Sequence, residues 1–207
     1  MIHTMSLADA AGNRADTGDS RPTHRSPGWR RWAGVLLHRW PTAFGVAVAA
    51  LSALDLETGL EFAALTMLMA VIYTGAATFD RPWTAWVVLF AGLPLAFVLP
   101  ATSWTDRSMI LLVVGAIFAM VGVARGLLVK PGGLPLQTVG LLAFGSVVLV
   151  ALYVDPTLGG KLVGVVILAH GAWDAYHYLR NTVVQRSYAE FCAVVDLLLG
   201  SAILLMT

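Results

Sequence analysis

The chain has 207 residues, of which 58% are hydrophobic and only 12% charged, and its mean hydropathy is +0.77. A soluble domain carries about 25% charged and 45–50% apolar residues. This composition excludes a soluble globular enzyme and a disordered protein, and it predicts a polytopic membrane protein. The formal net charge of +1 gives no reason to expect nucleic acid as a partner.

Cysteine usage narrows the choice of sites. The sequence contains a single cysteine, Cys192, which excludes an internal disulfide and any all-thiolate metal site. A lone cysteine inside an apolar segment is usually a small buried hydrophobic residue.

The first 32 residues differ from the rest of the chain. They are polar and contain Arg14, Arg21, Arg25, Arg30 and Arg31. Such a segment cannot bury enough apolar surface to offset the entropy of ordering, and it lacks the early apolar region of a cleavable signal peptide. We therefore predict a disordered basic cytosolic tail over residues 1–32 and a transmembrane helical domain over residues 33–207.

From Pro41 onward, apolar runs alternate with short polar breaks. A helix needs about 20 residues to cross a hydrocarbon core of about 30 Å. The runs are continuous, without the alternation of barrel strands, so we predict an all-α transmembrane bundle of about seven helices. The predicted spans are 38–54, 60–79, 83–101, 108–129, 134–154, 161–179 and 188–206. Residues 105–107 and the pair Gly159-Gly160 are predicted to lie in turns.

The distribution of basic residues predicts the orientation of the helices. Cytoplasmic loops of membrane proteins carry an excess of Lys and Arg. With the N-terminus inside and the C-terminus outside, the basic residues expected in outer loops are Arg107 and Lys161 alone. If one span were absent, every later loop would change sides and the basic residues would no longer be concentrated inside. The other 11 of the 13 basic residues then lie inside: Arg14, Arg21, Arg25, Arg30, Arg31, Arg39, Arg81, Arg125, Lys130, Arg180 and Arg186.

Polar residues that could carry chemistry are concentrated in the last two spans. An ionisable side chain near the bilayer centre costs at least about 2.5–3.5 kcal/mol on insertion scales, so its presence suggests a function. In the sixth span, His170, Asp174 and His177 stand at i, i+4 and i+7 and share one helical face.

The seventh span carries a second polar stripe of Tyr188, Cys192 and Asp196, at i, i+4 and i+8. Counted from the cytosolic ends of their helices, Asp174 and Asp196 lie about 9 and 12 Å deep. An antiparallel hairpin would therefore bring the two carboxylates to a similar depth. Glu190 is expected nearer the cytosolic end of the hairpin.

A metal site is the first interpretation of these residues. Imidazoles and carboxylates suit zinc or non-haem iron. The candidate ligands are His170, Asp174, His177 and Asp196. His170 and His177 are separated by about 10.5 Å along the helix axis, which argues against one ion held by all three residues of the sixth span and favours Asp196 as the completing ligand.

Metal-free acid–base chemistry on a lipid or isoprenoid-like substrate is the second interpretation. A carboxylic acid buried in apolar surroundings can stay protonated and act as a proton donor. Aromatic faces from Trp173, Tyr176 and Tyr188 would stabilise cationic intermediates. The candidate catalytic residues are Asp174, Asp196, His177 and Glu190, with Tyr188 secondary.

Two further interpretations remain open at this point. The same residues would suit an ion- or proton-coupled transporter. They would equally suit a structural hairpin, since polar side chains that bond across helices stabilise packing by about 0.6 kcal/mol per bond. A retinal Schiff base is excluded because Lys130 and Lys161 are both expected in loops.

Residues 170–200 resemble a group of small bacterial multi-pass membrane proteins of unknown function that carry a His-x-x-Trp-Asp-x-x-His motif. The matching residues are His170, Trp173, Asp174 and His177, followed by Asn181 and a second acidic helix. Those proteins often have a second histidine where this chain has Tyr178. The resemblance supports a site at His170, Asp174 and His177 and implies no particular reaction.

Two architectural similarities are weaker. Seven helices with the N-terminus inside are similar to the intramembrane hydrolases related to ceramidases and adiponectin receptors, which hold zinc with histidines from several helices. The size and the buried acids are similar to small membrane-bound terpene cyclases. From the sequence we expect a multi-pass inner (plasma) membrane protein whose partners are membrane lipids and a lipophilic small molecule, with zinc or iron as a possible cofactor and with its oligomeric state open.

Overall fold

The computed structural model describes residues 39–98, 103–130 and 132–207, and within these ranges the chain is all-α, with seven α-helices and no strand. The predicted tail and residues 99–102 of the third predicted span lie outside the described residues. The helices are α1 (Trp40–Leu54), α2 (Ala63–Phe79), α3 (Thr84–Phe97), α4 (Trp104–Ala124), α5 (Leu134–Tyr153), α6 (Pro156–Arg180) and α7 (Arg186–Met206).

The start of α4 corrects the prediction that residues 105–107 form a turn. Ser103 caps the helix: its Oγ accepts a hydrogen bond from the Asp106 amide at 3.1 Å, and Asp106 Oδ2 accepts one from the Ser103 amide at 2.9 Å. This capping box satisfies two amides that the first turn leaves free. The helix ends at Ala124, whereas the predicted span ran to residue 129. Two residues after Ala124, Gly126 adopts a left-handed conformation with φ 73°.

The start of α6 corrects a second predicted turn. Asp155 caps this helix, since its Oδ1 accepts hydrogen bonds from the amides of Thr157 and Leu158 at 2.8 and 3.1 Å. Pro156 suits the first helical position. The helix therefore begins five residues earlier than predicted, and it includes both Gly159-Gly160 and Lys161. A Cβ on either glycine would collide with a backbone carbonyl of a neighbouring segment.

Helix α2 forms the centre of the bundle, and most of its residues are buried. It packs against α3, α4, α5 and α6, while α7 packs against α6 and α1. The α6–α7 pair approaches closely because Gly164 and Gly200 face the opposite helix. A Cβ on these glycines would lie 3.0 and 2.8 Å from the nearest side chain of the partner helix. This close approach brings the polar faces of α6 and α7 together.

The charged residues separate along the helix axes. One end, called here the basic end, includes Arg39, Arg81, Arg125, Lys130, Arg180 and Arg186. Contacts tie its loops together: Lys130 Nζ lies 2.5 Å from Asp80 Oδ2, and the Arg125 guanidinium donates to the Thr78 carbonyl. The opposite end includes Asp55, Glu57, Glu61, Asp106 and Asp155 together with Arg107 and Lys161.

Several helices are compatible with a membrane protein. Four segments of the described chain are long and apolar enough to cross a membrane: Leu60–Phe79, Trp104–Ala124, Leu134–Tyr153 and Arg186–Met206. Helices α1 and α3 are apolar but shorter. Helix α6 has 25 residues, but polar side chains within it lower its hydropathy, and the candidate site is built on this helix.

Candidate functional site

A group of three acidic and imidazole side chains lies buried between α6 and α7. His170, Asp174 and Asp196 are each 1% exposed or less. His170 Nδ1 lies 2.9 Å from Asp196 Oδ2, which is hydrogen-bond distance, and 3.4 Å from Asp174 Oδ2. Each residue offers a donor atom within 4.8 Å of the others. We call these three residues the buried triad.

Tyr73 connects the triad to the central helix. Its hydroxyl donates a 2.5 Å hydrogen bond to Asp174 Oδ1. Its ring also packs edge-on against the His170 ring, with centroids 5.5 Å apart. Tyr73 is itself only 1% exposed, so three helices, α2, α6 and α7, meet at this point.

Each member of the triad keeps one buried polar atom without a hydrogen-bond partner: His170 Nε2, Asp174 Oδ2 and Asp196 Oδ1. Most buried polar atoms in folded proteins are paired, and each exception requires an explanation. An unpaired buried group costs about 1–3 kcal/mol, and more if it is charged. Three such atoms on adjacent residues indicate that the site has unused capacity to bind a proton, a water molecule or a cation.

The charge of the triad also indicates that the site can bind a proton or a cation. The ion pairs of Asp174 and Asp196 in the described chain are both made with His170. If both carboxylates were ionised, one protonated imidazole would leave the triad with a net negative charge. An uncompensated charge in a low-dielectric interior is very unfavourable. An additional proton or a bound cation is therefore required for balance.

His177 belongs to a separate hydrogen-bonded network on the basic-end side of the triad. Its Nδ1 donates to the Trp173 carbonyl at 2.9 Å, and its Nε2 accepts from Gln137 Nε2 at 3.0 Å. The Gln137 carboxamide also donates to the Gly132 carbonyl at 3.1 Å and accepts from Trp173 Nε1 at 3.3 Å. Both ring nitrogens of His177 are thus occupied, and the structure does not bring this residue into the triad.

The remaining residues selected from the sequence lie outside the triad. Glu190 faces α1, where it accepts hydrogen bonds from Thr42 Oγ1 at 2.5 Å and Arg39 at 3.4 Å. Tyr188 is fully buried against the Tyr73 ring; its hydroxyl lies beside the Cys192 thiol and makes no well-formed hydrogen bond.

Sequence reasoning missed Tyr73 and Gln137 because both are neutral and lie in spans that carry almost no ionisable residue. A usable signal was present in each case. Tyrosine in transmembrane helices is enriched at the interfaces, whereas Tyr73 lies six residues, about 9 Å, inside the end of an apolar helix. An amide in an apolar helix also needs hydrogen-bond partners when it is buried, and Gln137 is 1% exposed.

No protein-family model, curated protein or solved structure matches this chain. Its function therefore has to be argued from the site. One imidazole and two carboxylates can hold a divalent cation, or they can exchange protons among themselves and with Tyr73.

Proposed function

We propose that the chain is a multi-pass integral membrane protein that binds a divalent metal ion at His170, Asp174 and Asp196. The observation that carries the proposal is the buried triad itself, with donor atoms within 4.8 Å and one unpartnered polar atom on each residue. A cation held by His170 Nδ1 and one oxygen of each carboxylate would balance the two negative charges.

The distances within the triad suit one ion. Zinc binds imidazole nitrogen and carboxylate oxygen at about 2.0–2.2 Å, so two ligand atoms on a tetrahedral ion are about 3.4 Å apart. The 3.4 Å separation from His170 Nδ1 to Asp174 Oδ2 equals this value, and that to Asp196 Oδ2 is shorter at 2.9 Å, so an ion held through Nδ1 would replace the hydrogen bond between His170 and Asp196. The mixed nitrogen and oxygen donors favour zinc or iron over calcium or magnesium, which prefer oxygen ligands.

The chemistry that we assign to the centre is catalysis on a lipophilic substrate. Three protein ligands leave a coordination position open, as in catalytic zinc sites, where the metal acts as a Lewis acid or activates water. Tyr73 would orient the Asp174 ligand, in the way that outer-shell partners fix metal ligands. Apolar helices surround the centre, so a lipid or isoprenoid-like molecule is the proposed substrate class.

The charge separation between the two ends supports an orientation in the membrane. The basic end would face the cytosol and the opposite end the outside, with the N-terminus inside and the C-terminus outside, in the inner (plasma) membrane. Single cysteines placed at Arg81 and at Glu57 in a Cys192→Ala background test this. An impermeant thiol reagent added to intact cells should label the position-57 variant and not the position-81 variant; the reverse pattern would invert the topology.

Elemental analysis of detergent-purified protein tests the metal site. Wild type supplied with zinc, iron or manganese should retain near-stoichiometric metal, and Asp196→Asn and His170→Ala should lose it. Glu190→Gln is the matched control, because Glu190 lies on the same helix as Asp196 but binds α1. Folded wild type that retains no metal, or equal loss in the control, would reject the metal site.

A metal-free acid–base centre is the second candidate. The 2.5 Å hydrogen bond from Tyr73 to Asp174 favours it, because a proton donor already contacts the carboxylate. Such a centre would serve a proton-coupled carrier or a lipid-modifying enzyme. Transport that depends on a proton gradient in reconstituted vesicles, abolished by Asp174→Asn and unaffected by chelators, would favour the carrier over the metalloenzyme.

A further inference from the structure

A cavity of about 200 Å³ opens at the basic end, near the ends of α2 and α6 and the start of α5. Its lining includes Ala76, Ala77, Gly132, Gly133 and Thr182. Within the triad, Asp196 lies at the middle of α7 and Asp174 is the member nearest to the basic end. Asp174 is six residues from the end of α6, about 9 Å, and 18 residues from its start, about 27 Å.

Gln137 and His177, which we call the layer, contact the cavity lining on one side and Tyr73, the neighbour of the triad, on the other. Gln137 donates to the carbonyl of Gly132, which lines the cavity, and to the ring of His177. The His177 carbonyl accepts from the amide of Thr182, another lining residue, at 3.4 Å. The layer therefore contacts the cavity wall in the loop before α5 and in the loop after α6.

The other side of the layer contacts the triad through Tyr73. The rings of His177 and Tyr73 are 4.7 Å apart, and the Tyr73 hydroxyl binds Asp174. The polar atoms of Gln137 and His177 are hydrogen-bonded within the layer, in contrast to the unpartnered atoms of the triad. These two residues are therefore suited to close a passage rather than to bind an ion.

The wall of the cavity also contains a strained turn. Val183 has a φ of 66°, and the amide of Val184 donates to the Thr182 carbonyl at 2.7 Å across it, which defines a three-residue turn of the rare strained type. Val183 lines the cavity. A positive φ is a true outlier for a β-branched residue, and strained residues often occur at gates and switches.

We propose that the triad exchanges its cation with the basic end of the bundle through this cavity, and that the Gln137–His177 pair is the gate. The ion passes when the hydrogen bond between the two side chains breaks and one of them turns aside. This proposal rests on the proposed metal site, but its tests separate the two.

Release of bound metal measures the gate directly. Zinc-loaded protein in detergent is mixed with excess chelator and a zinc indicator, and the release rate is followed. Gln137→Ala removes the amide that closes the layer, and we expect release at least about tenfold faster with unchanged stoichiometry. Ala77→Phe narrows the cavity and should slow release. Thr138→Ala is the matched control, since the hydrogen bond of the Thr138 hydroxyl in the described part of the chain is to the Leu134 carbonyl of its own helix.

The native cysteine gives a second readout that needs no metal. Cys192 is buried beside Tyr188, on the same helical face as Asp196, and is the sole cysteine of the sequence. A small cationic methanethiosulfonate should modify Cys192 faster in Gln137→Ala than in wild type and more slowly in Ala77→Phe. Leu141→Ala controls for general loosening, because it removes a buried side chain on the α4-facing side of α5.

The outcomes separate the gate from the metal site. The gate is supported if metal release and Cys192 modification become faster in Gln137→Ala and slower in Ala77→Phe. The control variants Thr138→Ala and Leu141→Ala should leave these rates unchanged. If zinc binds and neither variant changes release or thiol modification, the gate is wrong and the metal site stands. If zinc does not bind but thiol modification follows the expected pattern, the passage stands and the metal site is wrong. If Gln137→Ala does not fold, an unchanged rate in Ala77→Phe is sufficient to reject the gate.

Discussion

The hydrogen bond between Tyr73 and Asp174 joins the central helix to the buried triad. The donor and acceptor lie 101 positions apart in the sequence and 2.5 Å apart in space. Because the phenol satisfies one carboxylate oxygen, the other oxygen of Asp174 is left facing His170 at 3.4 Å. The bond thereby determines that Oδ2 is the carboxylate oxygen of Asp174 available to a ligand.

Removal of the Tyr73 hydroxyl should destabilise the fold. Tyr73→Phe keeps the ring but leaves Asp174 Oδ1 without its donor, so we expect a loss of about 1.5–3 kcal/mol in the free energy of unfolding. Tyr188→Phe is the matched control, since the Tyr188 hydroxyl makes no well-formed hydrogen bond, and it should change stability by less than about 0.5 kcal/mol. Denaturant titration in detergent measures both; an equal cost would contradict the assigned hydrogen bond.

The tautomer of His177 follows from its two partners. A carbonyl can only accept, so Nδ1 must carry the proton that bonds to the Trp173 carbonyl, and Nε2 must accept from Gln137. We expect 15N NMR of labelled protein to show a neutral ring protonated at Nδ1. Gln137→Leu should shift the Nε2 resonance toward that of a free imine nitrogen, while Thr138→Ala leaves it unchanged. A proton on Nε2 would rule out this network.

Much of the hairpin could be predicted from sequence. The spacing of His170, Asp174 and His177 places them on one face of α6, and all three are buried there. Depth counting along two antiparallel helices pairs Asp174 with Asp196, and the structure brings both to His170. Periodicity and helix rise are local properties, so they were sufficient for this part of the site.

The rest depended on information that the local sequence lacks. The starts of α4 and α6 were missed because Asp106 and Asp155 were interpreted as loop markers, whereas both cap helices. Tyr73 and Gln137 reach the site through the packing of α2 and α5 on α6, which no spacing along the chain reveals. The metal, the substrate and the resemblance to other small membrane proteins stay predictions.

The distance between His170 and Asp196 should depend on the glycine beside them. A Cβ on Gly171 would lie 3.1 Å from the Asp196 Cβ, so Gly171→Val should push α7 away and separate the two side chains. We expect metal retention to fall at least about tenfold although no ligand has changed. Ala172→Val, at the next and exposed position, should retain the metal. Full retention in Gly171→Val would show that the hairpin spacing does not control the site.

The turn at Val183 should tolerate glycine better than its neighbour does. Strain of about 1–3 kcal/mol at a positive φ is relieved by glycine, which adopts this region freely, and the entropic cost of the substitution is about 0.5–1 kcal/mol. Val183 is also partly buried against the core, and the loss of this packing offsets part of the gain, so Val183→Gly should change the unfolding temperature little. Val184 is 2% exposed, belongs to the hydrophobic core and has no positive φ. Val184→Gly deletes this buried side chain at a cost of about 2 kcal/mol or more. It should therefore lower the unfolding temperature. An equal drop in both variants would mean that Val183 is not strained. If the turn also takes part in opening the passage to the triad, Val183→Gly should change the rate of metal release without changing the amount bound.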